Sequence, residues 1–302
     1  MIVTVTLNPA LDVAYEAEDP SWQATRDITR VRHRAGGSGV AVARVLYKFG
    51  HEVVVAGLAG GATGELIKED LGRSGIPVAL TGISQESRRV LAVTDTVSGQ
   101  TMRLREPGPY VTTEELGRFA GDYRRMLSDA TAVVLCGSLP LGLPPEIYGS
   151  LATYAAEAGV PVILSTGGEA LQHAAVRRPD LVVPDEENEV PAGPAGGPLS
   201  AGREAGGDAL LAHGAVAVAV PAVDRITVVT KAGRWSAALP GLAPGSPGPL
   251  VGGLVPGLLL GWSWPDLLRH AAAVAAASTV AGDVNLTEYE RLVDQVEVEP
   301  AS

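Results

Sequence analysis

Short apolar runs of strand character alternate with segments of helical period along most of the chain, and this alternation restricts the fold more than any other feature. Val3 to Leu7 reads as a first buried strand. After Gly36-Gly37, the residues Val42, Val45, Leu46 and Phe49 recur at i, i+3, i+4 and i+7, the period of a helix that Gly50 ends. A strand over Val53 to Leu58 and a helix from about Thr63 to Leu71 follow. Thr112 and Glu115 form a capping box ahead of a helix whose Leu116, Phe119, Tyr123 and Leu127 share a face. Val133 to Cys136 is a further strand. Pro144-Pro145 then open a helix with Ile147, Leu151, Tyr154 and Ala155 inward, and Gly159 closes it. Strands are expected at Val162 to Leu164, Leu181 to Val183, Ala215 to Val220 and Ile226 to Thr230. Two helices, about Leu250 to Leu260 and Pro265 to Val280, precede a charged tail. Strand–helix–strand order of this kind predicts a mainly parallel sheet covered by helices.

Two segments break the rhythm. Residues 12–34 and 88–105 alternate like exposed strands, and the second folds back at Val97-Ser98-Gly99-Gln100. Together they predict a small sheet projecting from the main one. The stretch from Pro191 to Gly207, rich in Gly, Pro and Ala, reads as a loop.

Composition removes several classes of function. At a net charge of −11 the chain is a poor partner for a nucleic-acid backbone, and its few aromatics offer no platform for stacked bases. Its longest uncharged stretch, Ser236 to Pro265, carries too many prolines and glycines for a lipid-exposed helix, so no membrane partner is expected. The N-terminus lacks the basic region of a signal peptide. The one cysteine, Cys136, lies in an apolar run and reads as a core residue, which fits a reducing, cytoplasmic location. His33, His51, His173, His213 and His270 show no metal-ligand spacing.

A set of short motifs, in order and at consistent spacing, covers nearly the whole chain. They are the opening TVTLNPALD, the Gly36-Gly37-Ser38-Gly39 turn leading into VAVARVL, Glu106-Pro107-Gly108-Pro109 and Cys136-Gly137-Ser138-Leu139-Pro140. The run Pro184-Asp185-Glu186-Glu187-Asn188 and the turn Gly245-Ser246-Pro247-Gly248 complete it. This set resembles the PfkB, or ribokinase-like, family of carbohydrate kinases in its 1-phosphofructokinase and tagatose-6-phosphate kinase branch. The resemblance implies an α/β fold: a three-layer αβα Rossmann-like core over residues 1–302, with the two irregular segments forming a β-sheet lid. It also implies a homodimer paired through the lid, and ATP with Mg²⁺ as cofactors.

Family members place the base for the attacking hydroxyl in a GAGD turn, where N–H groups at a helix N-terminus form an anion hole. Here that turn reads Gly245, Ser246, Pro247, Gly248. The aspartate position holds Gly248, which cannot accept a proton, and Pro247 removes one donor. A lost general base costs roughly 10²–10⁴ in rate. A lost anion-hole donor costs roughly a further 10²–10³.

The sugar end is better kept. By resemblance, Asp12 holds substrate hydroxyls, although an Asx turn after the first strand is the alternative. Gly36, Gly37 and Gly39 allow close approach of a ligand, but Ser38 replaces the family's lysine and Ala41 its asparagine. Arg88 matches an arginine used on the substrate phosphate. At the nucleotide end, Asp185 and Asn188 stand in exchanged order where the family organises Mg²⁺, and a solvated helix start is the alternative. Val220-Pro221-Ala222 replace a Ser-Leu-Gly loop at the nucleotide, and Arg225 a nearby glycine. The irregular segments hold Arg26, Arg30, Arg32, Arg34, Arg88, Arg89, Arg103 and Arg105. This is either a solvated edge that discourages aggregation or an anion site beneath the lid.

Three functions follow as expectations. The first is a catalytically impaired kinase homologue, a pseudokinase, that binds a sugar phosphate, another small anion or a partner protein. The second is an active carbohydrate kinase whose base is displaced, to Asp12 or another carboxylate. The third is a structural dimer joined through the lid.

Overall fold

The strands with the most continuous apolar sequence lie in the middle of the sheet, because only there are both faces covered. β1 (Ile2–Thr6) and β8 (Ala132–Cys136) are buried at every position. The structure, a computed structural model, describes residues 1–20, 25, 27–185, 203–222, 225–238, 247–279 and 281–301. In chain order β1 is followed by β2 (Ala10–Ala17), β3 (Arg30–Gly36), α1 (Ser38–Lys48), β4 (Val53–Gly60), α2 (Gly61–Arg73) and β5 (Val78–Ile83). Next come β6 (Arg88–Asp95), β7 (Thr101–Arg105), α3 (Thr113–Met126), β8, α4 (Ile147–Glu157), β9 (Val162–Ser165), α5 (Gly168–Ala175) and β10 (Leu181–Val182). The C-terminal part holds α6 (Arg203–Ala212), β11 (Ala217–Pro221), β12 (Arg225–Thr230), β13 (Gly233–Ala238), α7 (Gly248–Leu259), α8 (Trp264–Ala276), α9 (Leu286–Val293) and β14 (Val298–Pro300).

The main sheet runs β14-β13-β12-β11-β10-β9-β8-β1-β4-β5. Its pairs are parallel from β11 to β5 and antiparallel from β11 to β14. One core, on one side of the sheet, gathers Val42, Val45 and Leu46 of α1, Leu254 and Val255 of α7, and Leu268 of α8. The other gathers Phe119 and Tyr123 of α3, Leu151 of α4 and Leu171 of α5. Helices on both sides of a mainly parallel sheet give the three-layer αβα arrangement that the alternating pattern predicts. The expected capping box is present. Thr112 accepts from the Glu115 backbone, and Glu115 accepts from the Thr112 N–H at 2.8 Å. Backbone N–H bonds, that of Thr112 foremost, hold the buried Glu115 carboxyl down at about 2.

The two irregular segments form a second sheet, β3-β2-β6-β7. Its β2–β3 and β6–β7 pairs are antiparallel, while β2 and β6 run parallel. Side chains alternate across it. One face carries Asp12, Arg32, Arg34, Arg88, Arg103 and Arg105, and the other Val31, Leu91, Met102 and Leu104.

Some elements differ from the sequence reading. The tail after Ala276 is not an open charged segment but holds α9 and β14. Asn285 caps α9 by accepting from Glu288 N at 3.2 Å. His270 of α8, beside Tyr289 Oη at 2.8 Å and edge-on to Phe49 and Trp262, packs this helix down. The abundant charges mask a short apolar stripe. Helix α6 begins at Arg203, inside the segment read as a loop. Its Gly207 permits close contact, since a Cβ there would lie 3.2 Å from Val220 Cγ2 on β11. The rest of that loop, 191–202, lies outside the described residues, as do Asn188, Gly245, Ser246 and Arg26.

Candidate functional site

Chain order reverses around β1, which lies between β8 and β4. At such a switch point the carboxyl ends of neighbouring strands part and leave a crevice. Here the crevice is a cavity of about 400 Å³. Its floor is Thr6 and Asn8 past β1, Gly137 and Ser138 past β8, and Asp185; its wall is the start of α1; its roof is the polar face of the lid. Thr279, Ala281 and Asp283 complete the rim.

The floor is polar and close-fitting. Asn8 Nδ2 donates to Ser138 Oγ at 3.2 Å and to the Leu139 carbonyl at 3.3 Å. The Thr6 hydroxyl and Asn8 Oδ1 are buried without a hydrogen-bond partner among the described residues, so both can receive a ligand's hydroxyl groups. Tyr148 Oη donates to the Cys136 carbonyl at 2.7 Å and pins the end of β8 from below.

The turn into α1 explains its glycines. Gly37 sits at φ 121°, a conformation open to glycine, and forms the N-cap without a capping side chain. A Cβ on Gly36 would land on the Asp12 carboxylate, and one on Gly39 on the Thr6 hydroxyl. The N-terminal dipole of α1 thus faces the cavity. Ser38 Oγ reaches Asp185 Oδ2 at 3.3 Å. Asp185 is buried, and Asn188 lies outside the described residues.

Asp12 stands mid-strand in β2, opposite Arg34 on β3, which sets aside the alternative of an Asx turn. Burial raises its pKa to about 6, against the opposing pull of Arg88, Arg103, Arg34 and Arg44. Of the eight arginines singled out, Arg32, Arg34, Arg88, Arg103 and Arg105 line the cavity. Arg30 is not among the lining residues, and Arg89 points to the other face, paired with Glu106 at 2.8 Å. Burial, and then Arg105, depress the Arg88 pKa, and Arg88 Nε is buried without a partner among the described residues. The five cavity arginines outnumber Asp12, Asp185 and Asp283, so the roof attracts anions.

This balance depends on pH. A carboxyl with a raised folded pKa contributes stability that is present below its ordinary value of 3.8 and lost as pH rises through about 6. Deprotonation also makes the cavity less cationic. Sulfate, whose charge is constant over this range, is therefore expected to bind several-fold tighter at pH 5 than at pH 7.5. Asp12→Asn is expected to flatten that dependence in calorimetric titrations.

Pro247 and Gly248 are buried at the start of α7, where Pro247 is the N-cap and its carbonyl accepts from Val251 N at 2.9 Å. No carboxylate stands at position 248, and the described residues lining the cavity do not include it. Asp185 is the one acid of the expected Mg²⁺ pair within the described residues, and no cluster of three or more potential metal ligands occurs among them. A single carboxylate together with nucleotide phosphates can hold Mg²⁺, so Asp185 fits that part. The expected nucleotide loop fits less well. Val220 is buried against α6, and Ala222 N closes a turn onto the Arg225 carbonyl at 2.8 Å; Val220, Pro221 and Ala222 present no polar side chain. Sequence reasoning gave no role to Thr6, Asn8, Ser138 or Asp283. Asn8 and Ser138 lie inside quoted motifs, whereas nothing in the tail marks Asp283.

A helix-covered, mainly parallel sheet with a four-stranded lid over its switch point defines a ribokinase-like α/β protein. The chain belongs to the pfkB family of carbohydrate kinases, whose sequence model matches residues 7–191. Among solved structures it is similar to a possible 1-phosphofructokinase from Thermotoga maritima, at 23% identity and TM-score 0.84 with 100% of each chain covered. It is also similar to phosphofructokinase-2 from Escherichia coli in complex with fructose-6-phosphate, at 24% identity and TM-score 0.83, covering 97% of this chain and 98% of that one. A carbohydrate kinase from Agrobacterium tumefaciens matches at 15% identity and TM-score 0.73, with 99% of each chain covered. At these identities the likeness speaks for the fold alone. Among the described residues no helix is long and apolar enough to cross a membrane.

Proposed function

We propose that this pfkB-family chain binds a sugar phosphate or a similar small anion beneath its lid and is impaired in phosphoryl transfer. One observation carries the impairment: the helix N-terminus that should hold the base begins Pro247-Gly248, without a carboxylate and with one N–H donor fewer. The cavity supports the binding half, with hydroxyl partners on its floor and arginines in its roof. Its size, about 400 Å³, suits a small metabolite. In this reading Asp12, Gly36, Gly37, Ser38, Gly39 and Arg88 contact the ligand, residues 1–302 act as one unit, and ATP and Mg²⁺ bind weakly. The exposed Val31, Met102 and Leu104 on the lid's outer face support a homodimer paired there. The buried free thiol of Cys136 fits a cytoplasmic protein.

A second reading, an active kinase with Asp12 as base, draws on the raised pKa of Asp12 within the cavity. The two separate in one experiment: thermal shift and ADP release with fructose 6-phosphate or tagatose 6-phosphate, each with and without Mg-ATP. A ligand at a hundred times its Kd adds about 2.7 kcal/mol, an easily seen rise in Tm. A rise without turnover supports impaired binding. Sugar-dependent ADP release supports the second reading, and no shift with either sugar rejects both. Gly248→Asp alone is expected to leave ADP release at background, since Pro247 still withholds its donor. A clear sugar-dependent gain in that variant would contradict this.

A further inference from the structure

The C-terminal segment places a carboxylate of its own in the cavity. Asp283 Oδ1 and Oδ2 accept from Nη2 and Nη1 of Arg34, a two-pronged pair of the kind guanidinium also makes with phosphate. Both residues line the cavity.

The two partners are mounted differently. Asp283 is held firmly. Its N–H donates to Thr279 Oγ1 at 3.2 Å, Thr279 N donates back to its carbonyl at 2.9 Å, and Ser278 bridges Val284. Gly282 presses so closely on the Ala41 carbonyl of α1 that a Cβ there would overlap it. The carboxylate is thus fixed to the core. Arg34 belongs to β3, the edge strand of the lid, and faces Asp12 across the ladder. Pairing holds the Asp283 carboxyl below its ordinary range and strengthens the charge on Arg34. Both stay ionised at neutral pH.

We propose that Asp283 is an internal competitor for the cavity's anion position, a latch from core to lid that an incoming anion must release from Arg34. This rests on the reading of the cavity as an anion site. The exchange is noncovalent: one Arg34–carboxylate pair is replaced by one Arg34–phosphate pair, and β3 loses this one of its ties to the core as the ligand gains one.

Inorganic phosphate is the probe, titrated by calorimetry into wild type, Asp283→Asn and Asp283→Asn with Arg34→Ala. Asp283→Asn is expected to bind phosphate about fivefold tighter or more, the scale of one half-exposed ion pair plus the removal of a like charge. Adding Arg34→Ala is expected to abolish the gain. If wild type binds phosphate and Asp283→Asn binds no tighter, the latch is wrong while the anion site stands. If no form binds phosphate, both fall. A readout on the wild-type protein does not depend on the variants folding. Followed by carbon NMR, the Asp283 carboxyl is expected to titrate higher when phosphate saturates the cavity, and an unchanged midpoint overturns the latch.

Discussion

Replacing Asp70 by alanine is expected to lower the unfolding free energy by about 3–5 kcal/mol. The reason is a buried charge left without its partner. Asp70 Oδ2 on α2 accepts from Arg44 Nη2 at 2.7 Å and from the Ala35 N–H at 2.9 Å. Arg44 lies on α1 with its side chain only 6% exposed, and it also donates to the Ala35 carbonyl at 3.2 Å and to Ser74 Oγ at 3.3 Å. Burial already works against its charge, as does nearby Arg34, and Asp70 counters both only in part. Three elements meet at this pair, including the end of β3 where the lid joins the core. Urea unfolding followed by tryptophan fluorescence measures the loss. The double change Asp70→Leu with Arg44→Met is expected to recover much of it, because the buried charge goes with its partner. A loss below about 1 kcal/mol in the single variant would mean that Arg44 swings out to water.

The second large effect concerns binding. Arg88→Ala is expected to weaken fructose 6-phosphate by about 2–5 kcal/mol, a factor of roughly 30 to several thousand. Arg88 is the most buried arginine of the roof, and its Nε has no partner among the described residues. Arg89→Ala is the internal control. One residue along β6, its side chain turns to the other face and pairs with Glu106, so its removal is expected to leave the affinity nearly unchanged. Equal losses in the two variants would move the anion site away from this face of the lid.

Much of the architecture was legible because strand and helix periods rest on burial, and burial is written locally in the sequence. Val42, Val45 and Leu46 point inward as their spacing says, and the Thr112–Glu115 box caps α3. The lid was legible for the same reason, since alternation at residues 30–34 and 103–105 sorts arginines onto one face. What failed was whatever a composition rule could hide. Charges concealed the Leu286 to Leu292 stripe of α9, and glycines concealed the start of α6, whose small residues exist to let it lie close to β11. At the site, the sequence pointed to some of the positions that line the cavity, as at Asp12 and Arg88. Contacts between remote segments were not. Asp283 and Arg34 are 249 positions apart, and no local pattern announces their meeting.

The segregation of charge between body and lid also sets how a ligand arrives. The molecule as a whole repels anions, with a net charge of −11, while the cavity roof attracts them. At physiological salt the screening length is about 8 Å, so the repulsion fades within a few water layers and the attraction is felt only at the mouth. Adding salt therefore weakens the barrier and the capture together. If the cavity binds anions as proposed, entry rates should vary little with ionic strength, and discrimination among small anions would rest on the fit within the doorway rather than on the speed of approach.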